Sequence, residues 1–140
     1  MKLPPNYDET RLQPLTTDDL VHERVSDLIG RAIQHQLWFL FLDDDHVQLP
    51  LVIPVGELPT RPDAFLGTIA AQLHEAMEAA AARAVIVVIE RYADAALTGA
   101  DREWALAIHD SFEQAGVVVR AILLSHRHGV RWVAQDDYRF

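Results

Sequence analysis

The sequence of 140 residues contains no cysteine, and this absence removes several kinds of site at once. Disulfide frameworks, thiolate metal sites, iron–sulfur clusters and cysteine nucleophiles are all excluded. Histidine, aspartate and glutamate then remain as candidate metal ligands. Glycine is scarce, with six residues. No Gly-x-Gly-x-x-Gly or Walker-type loop marks a place where backbone groups would cradle a phosphate.

Long apolar runs and concentrated basic clusters are missing as well. The apolar runs are too short to span a membrane, and the first residues hold no apolar signal core, so we expect a cytoplasmic protein without membrane contact. The formal net charge is −9, and Asp136 and Asp137 interrupt the arginines near the C-terminus. Because such a charge repels phosphate backbones, nucleic-acid binding is not expected.

The sequence does contain a regular succession of apolar patterns. Residues 1–15, with three prolines, predict an extended N-terminal arm, and residues 16–140 predict a single domain. Helical spacing of apolar residues predicts three helices, at residues 16–33, 63–82 and 98–116. Compact apolar or β-branched runs predict five strands, at residues 37–42, 47–55, 84–89, 117–124 and 130–134.

The order of these elements, α-β-β-α-β-α-β-β, predicts the fold class. It indicates an α/β (mixed α+β) domain of three layers, with a mostly buried mixed sheet of about five strands and three helices. Strands 37–42 and 47–55 form a predicted hairpin, in which Pro50 and Pro54 favour an edge position or a bulge. The stretch "SHRHG" is typical of a turn that joins the last two strands.

Two carboxylates lie near the predicted carboxyl end of the central strand. Glu90 and Asp101 flank the loop "ERYADAALTGAD", and ligands of open α/β sheets gather at the carboxyl ends of strands. Glu90 and Asp101 are therefore the candidate catalytic residues. Asp101 also has a structural explanation, since Thr98 followed three residues later by an acid is a helix-start signature.

A histidine pair offers the candidate metal ligands. His126 and His128 are two residues apart, so on a regular strand they would share a face and chelate an ion with a third ligand from elsewhere. The alternative is a solvated hairpin turn. The pattern favours the turn, because a zinc site is recognised by a full ligand set rather than by one pair.

The element order resembles a known family. The runs that carry the resemblance are "PLTTDDL", "IGRAIQHQLWFLFLDDDHVQLP", "FLGTIAAQLHEAMEAAAARAVIVVIE" and "LTGADREWALAIHDSFEQAGVVVRAILLSHRHGVRWVA". Over residues 14–134 they look like the RadC-type branch of the JAB/MPN metalloprotease fold. The chain is also similar to an actinobacterial domain family of unknown function with the same element order.

The JAB/MPN resemblance implies a relative that has lost its metal. In that family a His-x-His pair after the central strand and the Asp of a Ser-x-x-Asp element hold zinc, with a glutamate upstream as base. Here the first position reads Glu90, Arg91 and Tyr92, and the second reads Thr98 to Asp101. The resemblance therefore implies a degenerate domain without a cofactor, of the kind that serves in interaction or assembly.

The sequence thus leaves two functional hypotheses. The first is a non-catalytic domain that acts through protein–protein contacts or as a homodimer, with Tyr92, Tyr138 and Phe140 as candidate binding residues. For the last two, the alternative is that they fold back on their own core. The second hypothesis is a metal-dependent hydrolase whose rearranged site uses Glu90, Asp101 and a histidine.

Overall fold

The computed structural model describes residues 12–138, and it confirms the predicted fold class. Most of the predicted N-terminal arm, and Phe140, lie outside the described residues. The elements within that range are α1 (Asp18–Leu28), β1 (Gln36–Leu42), β2 (Gln48–Val55), α2 (Phe65–Ala80), β3 (Ala84–Glu90), α3 (Gly99–Gln114), β4 (Val119–His126), β5 (Gly129–Val133) and α4 (Gln135–Tyr138). The short α4 is an addition to the predicted order.

The strands form one mixed sheet in the order β2-β1-β3-β4-β5. β3 and β4 are parallel, whereas β1 is antiparallel to both β2 and β3, and β5 is antiparallel to β4. β2 and β3 therefore point the same way on either side of β1, and α2 makes the crossover between them. Every residue of β3 is buried, which agrees with its unbroken β-branched sequence.

The helices cover both faces of the sheet, and alternate residues of each strand pack on opposite faces. One core contains the buried side of α2 and α3, against Phe39, Val87 and Leu124 among others. The second core contains α1 and Leu15, which pack against the intervening residues such as Leu40. This arrangement is the predicted three-layer α/β/α sandwich. No helix within residues 12–138 is long and apolar enough to cross a membrane.

The two hairpins occur where they were predicted. Pro50 and Pro54 lie on β2, an edge strand of the described sheet, where a missing N–H donor is tolerated. In the second hairpin, β4 continues further than predicted, because His126 still pairs with Gly129. The turn therefore consists of Arg127 and His128 alone.

The end of α2 supplies a stability prediction. Ala81, the C-cap of α2, has a left-handed backbone with φ of 56°, a conformation that glycine adopts without the steric strain of a Cβ atom. We expect Ala81→Gly to raise the free energy of unfolding by about 0.5–1 kcal/mol, measured by urea denaturation. Ala71→Gly, on the exposed side of the same helix, should lower it by about 1 kcal/mol. Equal effects at both positions would contradict this interpretation.

Candidate functional site

The parallel strands β3 and β4 end side by side, and their carboxyl ends define the candidate site. Glu90, the last residue of β3, pairs with Ser125 of β4. The start of β1 lies at the same end, since Gln36 pairs with Glu90. The sequence had indicated this end of the sheet, and the structure shows that it is covered by the chain itself.

Glu90 is only 2% exposed, and its carboxylate accepts four hydrogen bonds. Oε2 accepts from the backbone N–H groups of Ile33 and Gln34, at 2.8 and 2.9 Å. Oε1 accepts from the side-chain amide of Gln36 at 2.8 Å and from the indole of Trp38 at 2.7 Å. Each oxygen thus has two donors, and the carboxylate connects β3 to the segment that precedes and begins β1.

These donors also determine the charge state of Glu90. Burial raises the pKa of its carboxyl, but the hydrogen bonds outweigh burial and leave the pKa below its ordinary value of 4.5. Glu90 is therefore ionised at neutral pH, with its negative charge distributed over four protein donors. An ionised carboxylate is not a proton donor, and the four hydrogen bonds of Glu90 hold the segment before β1 against the end of β3.

The segment between α1 and β1, residues 30–35, is fastened to the ends of β3 and β4. Besides the bonds to Glu90, the Ser125 hydroxyl donates to the carbonyl of Gly30 at 2.6 Å. The N–H of Ala32 donates to the carbonyl of His126 at 2.7 Å. Residues 30–35 are therefore bonded across the carboxyl ends of β3 and β4, the end of the sheet at which ligands of open α/β folds bind.

Asp101 is buried and forms an ion pair with Arg91. The Arg91 Nη2 atom lies 2.7 Å from the Asp101 carboxylate, and Nε donates to the same group at 2.8 Å. The Asp101 carboxylate also accepts the N–H of Thr98, while the Thr98 hydroxyl accepts the N–H of Asp101. This capping box confirms the helix-start interpretation of these two residues.

The same partners keep Asp101 ionised. Burial raises the pKa of its carboxyl, but the bonds and charge of Arg91 and the bonds of Thr98 bring the pKa below the ordinary 3.8. Arg91 also donates to the carbonyls of Asp94 and Ala96, so one guanidinium organises the loop from residue 91 to 98. Tyr92 extends from this loop and is 66% exposed.

The histidine pair of the last hairpin is divided between interior and solvent. His126 is 8% exposed, whereas His128 is exposed in the turn. The His126 Nδ1 atom accepts the backbone N–H of His128 at 3.2 Å. Burial lowers the pKa of His126, nearby arginines lower it further, and Asp94 opposes them. A neutral His126 then carries its proton on Nε2, because its Nδ1 atom accepts the hydrogen bond from His128.

Within residues 12–138, no three of the predicted catalytic and metal-ligating side chains lie close enough together to hold one ion. Within residues 12–138, the three side chains whose ligand atoms lie within 4.8 Å of one another are His109, Asp110 and Glu113, on α3. That group includes neither predicted catalytic residue and neither predicted metal ligand. Tyr138 is 7% exposed and contacts the ring of His109, so for this residue the fold-back alternative holds.

A surface that the sequence did not indicate lies above the buried carboxylates. We define the three-loop surface as residues 30–35, 91–98 and 127–128. The Ala32–His126 bond described above and a bond from the N–H of Arg127 to the carbonyl of Ala93, at 2.8 Å, connect its parts. Ile33, at 78%, and Tyr92 are two of its exposed large apolar side chains. An isoleucine in the polar stretch "GRAIQHQ" was the available signal.

Comparison with known proteins gives no relative on which to base a function. No protein-family model matches the sequence, and no curated protein matches it significantly.

Proposed function

We propose that this chain is a non-catalytic α/β domain that acts through protein–protein contacts, and that the three-loop surface is where its partner docks. The observation that carries the proposal is the exposure of Ile33 and Tyr92 on loops that are bonded to the same end of the sheet. The cytoplasmic location expected from the sequence is part of this proposal, and so is the metal-free relationship to the JAB/MPN fold.

The composition of the three-loop surface supports a protein partner. Single exposed apolar residues are ordinary on a protein surface. Here Ile33 and Tyr92 lie beside the exposed Arg31 and Arg127. Tyrosine and arginine are enriched where binding energy is concentrated in protein interfaces, with apolar neighbours that exclude water.

The fixed conformation of the loops also supports docking. Glu90, Ser125 and Arg91 satisfy backbone groups in two of the three loops, and the third is a two-residue hairpin turn. A surface that is already ordered loses little conformational entropy when a partner binds. The buried carboxylates thus contribute to function by holding the loops.

A double substitution tests this proposal. We expect Ile33→Ser combined with Tyr92→Ser to abolish the binding of any partner protein, or of a second copy. The free energy of unfolding should change by less than about 1 kcal/mol, because both side chains are exposed. The matched control is Val118→Ser, which removes an apolar side chain that is 58% exposed at the opposite end of the sheet.

The measurement has two stages. Proteins retained by immobilised wild-type chain are identified and then purified, and their binding to wild type, double variant and control is measured by calorimetry. Sedimentation equilibrium measures self-association of the same three proteins. A complex that forms equally well with the double variant would place the interface elsewhere and contradict the proposal.

A further inference from the structure

We infer that the partner segment recognised by the three-loop surface is an acidic stretch of polypeptide that contains a large apolar side chain. This inference rests on the proposed function and specifies its partner. It is drawn from the charge, the pairing and the spacing of the arginines around Ile33 and Tyr92.

The three-loop surface contains more arginines than carboxylates, in a chain that is acidic overall. Its residues include three arginines, Arg31, Arg91 and Arg127, and one carboxylate, Asp94. The whole chain, in contrast, has 12 basic and 21 acidic residues. The remaining residues therefore carry the excess negative charge. The ionised Glu90 and Asp101 at this end of the sheet are buried and bonded to protein donors, so a negatively charged partner meets less repulsion here than the net charge of the chain implies.

Two of these arginines are available to a partner. Arg91 is already bound to Asp101. Arg31 and Arg127 are exposed, and within residues 12–138 neither side chain forms an ion pair or a hydrogen bond. Each guanidinium has a planar set of donors that matches a carboxylate.

The positions of the two arginines relative to the apolar side chains define the pattern that is recognised. Arg31 is two residues from Ile33 along one loop, and Arg127 is bonded through its backbone to Ala93, next to Tyr92. A complementary segment places carboxylates at its ends or flanks and an apolar side chain between them. The net charge of −9 opposes the extended phosphate backbone of a nucleic acid, whereas a short acidic peptide needs only this local basic region.

The test uses a phage-displayed library of random 12-residue peptides as the probe. The library is selected on the wild-type chain, and enriched peptides are measured by fluorescence anisotropy against three variants. These are Ile33→Ser with Tyr92→Ser, Arg31→Glu with Arg127→Glu, and Arg83→Glu, which reverses an exposed arginine at the opposite end of the sheet.

We expect enriched peptides that are rich in Asp and Glu and contain Leu, Phe, Trp or Tyr. Their dissociation constants should rise by about tenfold with Arg31→Glu and Arg127→Glu, and also between about 50 and 300 mM salt. Arg83→Glu should leave them nearly unchanged.

The other outcomes separate the two proposals. Peptides that need Ile33 and Tyr92 but show no excess of acidic residues, or that bind the Arg31→Glu and Arg127→Glu variant equally well, overturn the acidic partner and leave the proposed function standing. Peptides that bind the Ile33→Ser and Tyr92→Ser variant unchanged overturn the acidic segment and place peptide binding outside the three-loop surface. A library that yields no binder overturns the acidic segment alone, and calorimetry and sedimentation with the Ile33→Ser and Tyr92→Ser variant then decide the proposed function. A third outcome is that no peptide binds but the chain self-associates, and that this self-association needs Arg31 and Arg127. The three-loop surface then binds a second copy of the chain, and the acidic-segment inference is overturned.

Discussion

Replacing Glu90 by glutamine should lower the free energy of unfolding by about 3–5 kcal/mol, although the two side chains have nearly the same shape. The wild-type carboxylate accepts four hydrogen bonds, two on each oxygen. Glutamine offers one acceptor oxygen and turns an amide nitrogen toward the other two donors. Two donors at a nearly inaccessible position then lose their acceptor, and each loss costs about 1–3 kcal/mol.

Chemical denaturation at neutral pH measures this effect, and Glu75→Gln is the matched control. Glu75 is an exposed glutamate on α2, so its replacement removes the same charge and should change stability by less than about 0.5 kcal/mol. If Glu90→Gln proved as mild as Glu75→Gln, the carboxylate would not be holding the loop of residues 30–35.

The pH dependence of stability in wild type and in Glu90→Gln follows from the direction of the pKa shift of Glu90. The pKa of Glu90 is lower in the folded chain than its ordinary 4.5, because its hydrogen bonds outweigh burial. The stability that Glu90 contributes is therefore complete above the ordinary value and is lost as the pH falls through the folded value. The stability difference between wild type and Glu90→Gln should accordingly be largest near neutral pH and shrink in acid.

The framework of the fold was predictable because it follows from local patterns. The run "AVIVVI" can be stable only where both faces of a strand are covered, and β3 is fully buried. Pro50 and Pro54 favoured an edge strand or a bulge, since they lack donors, and β2 is an edge strand of the described sheet. Thr98 and Asp101 marked the start of α3 at a spacing of three residues.

The role of Glu90 was not predictable in this way, because its four donors lie 52 to 57 residues away in sequence. A glutamate at the end of a strand has the same local pattern whether it faces solvent, a metal or backbone N–H groups. The path of residues 30–35 over the end of the sheet likewise depends on residues that are distant in sequence, namely Glu90 and Ser125. The sequence therefore indicated that Glu90 lies at the carboxyl end of β3, but not that residues 30–35 of the chain itself cover that end.

Replacing Asp101 by asparagine should be the second largest single effect, a loss of about 2–4 kcal/mol in the free energy of unfolding. The Arg91 and Asp101 side chains are 14% and 6% exposed, so the guanidinium would lose its counter-charge in a place that water barely reaches. Arg91 also donates to the carbonyls of Asp94 and Ala96, so an Arg91 side chain without its counter-charge should hold the loop of residues 91–98 less firmly. Because this loop carries Tyr92, partner binding should weaken even under conditions in which the domain stays folded.

An exposed ion pair between α3 and the loop that precedes α2 is the control for this prediction. Arg61 also binds Glu103 through two hydrogen bonds, but these side chains are 76% and 44% exposed, so Glu103→Gln should change stability by less than about 1 kcal/mol. Hydrogen exchange of residues 91–98 then separates the two roles of Asp101. Faster exchange confined to that loop indicates that Asp101 positions the three-loop surface, whereas faster exchange throughout α3 reports only the loss of its N-terminal cap. A binding loss without any change in exchange would instead mean that Asp101 touches the partner, contrary to its burial behind Arg91.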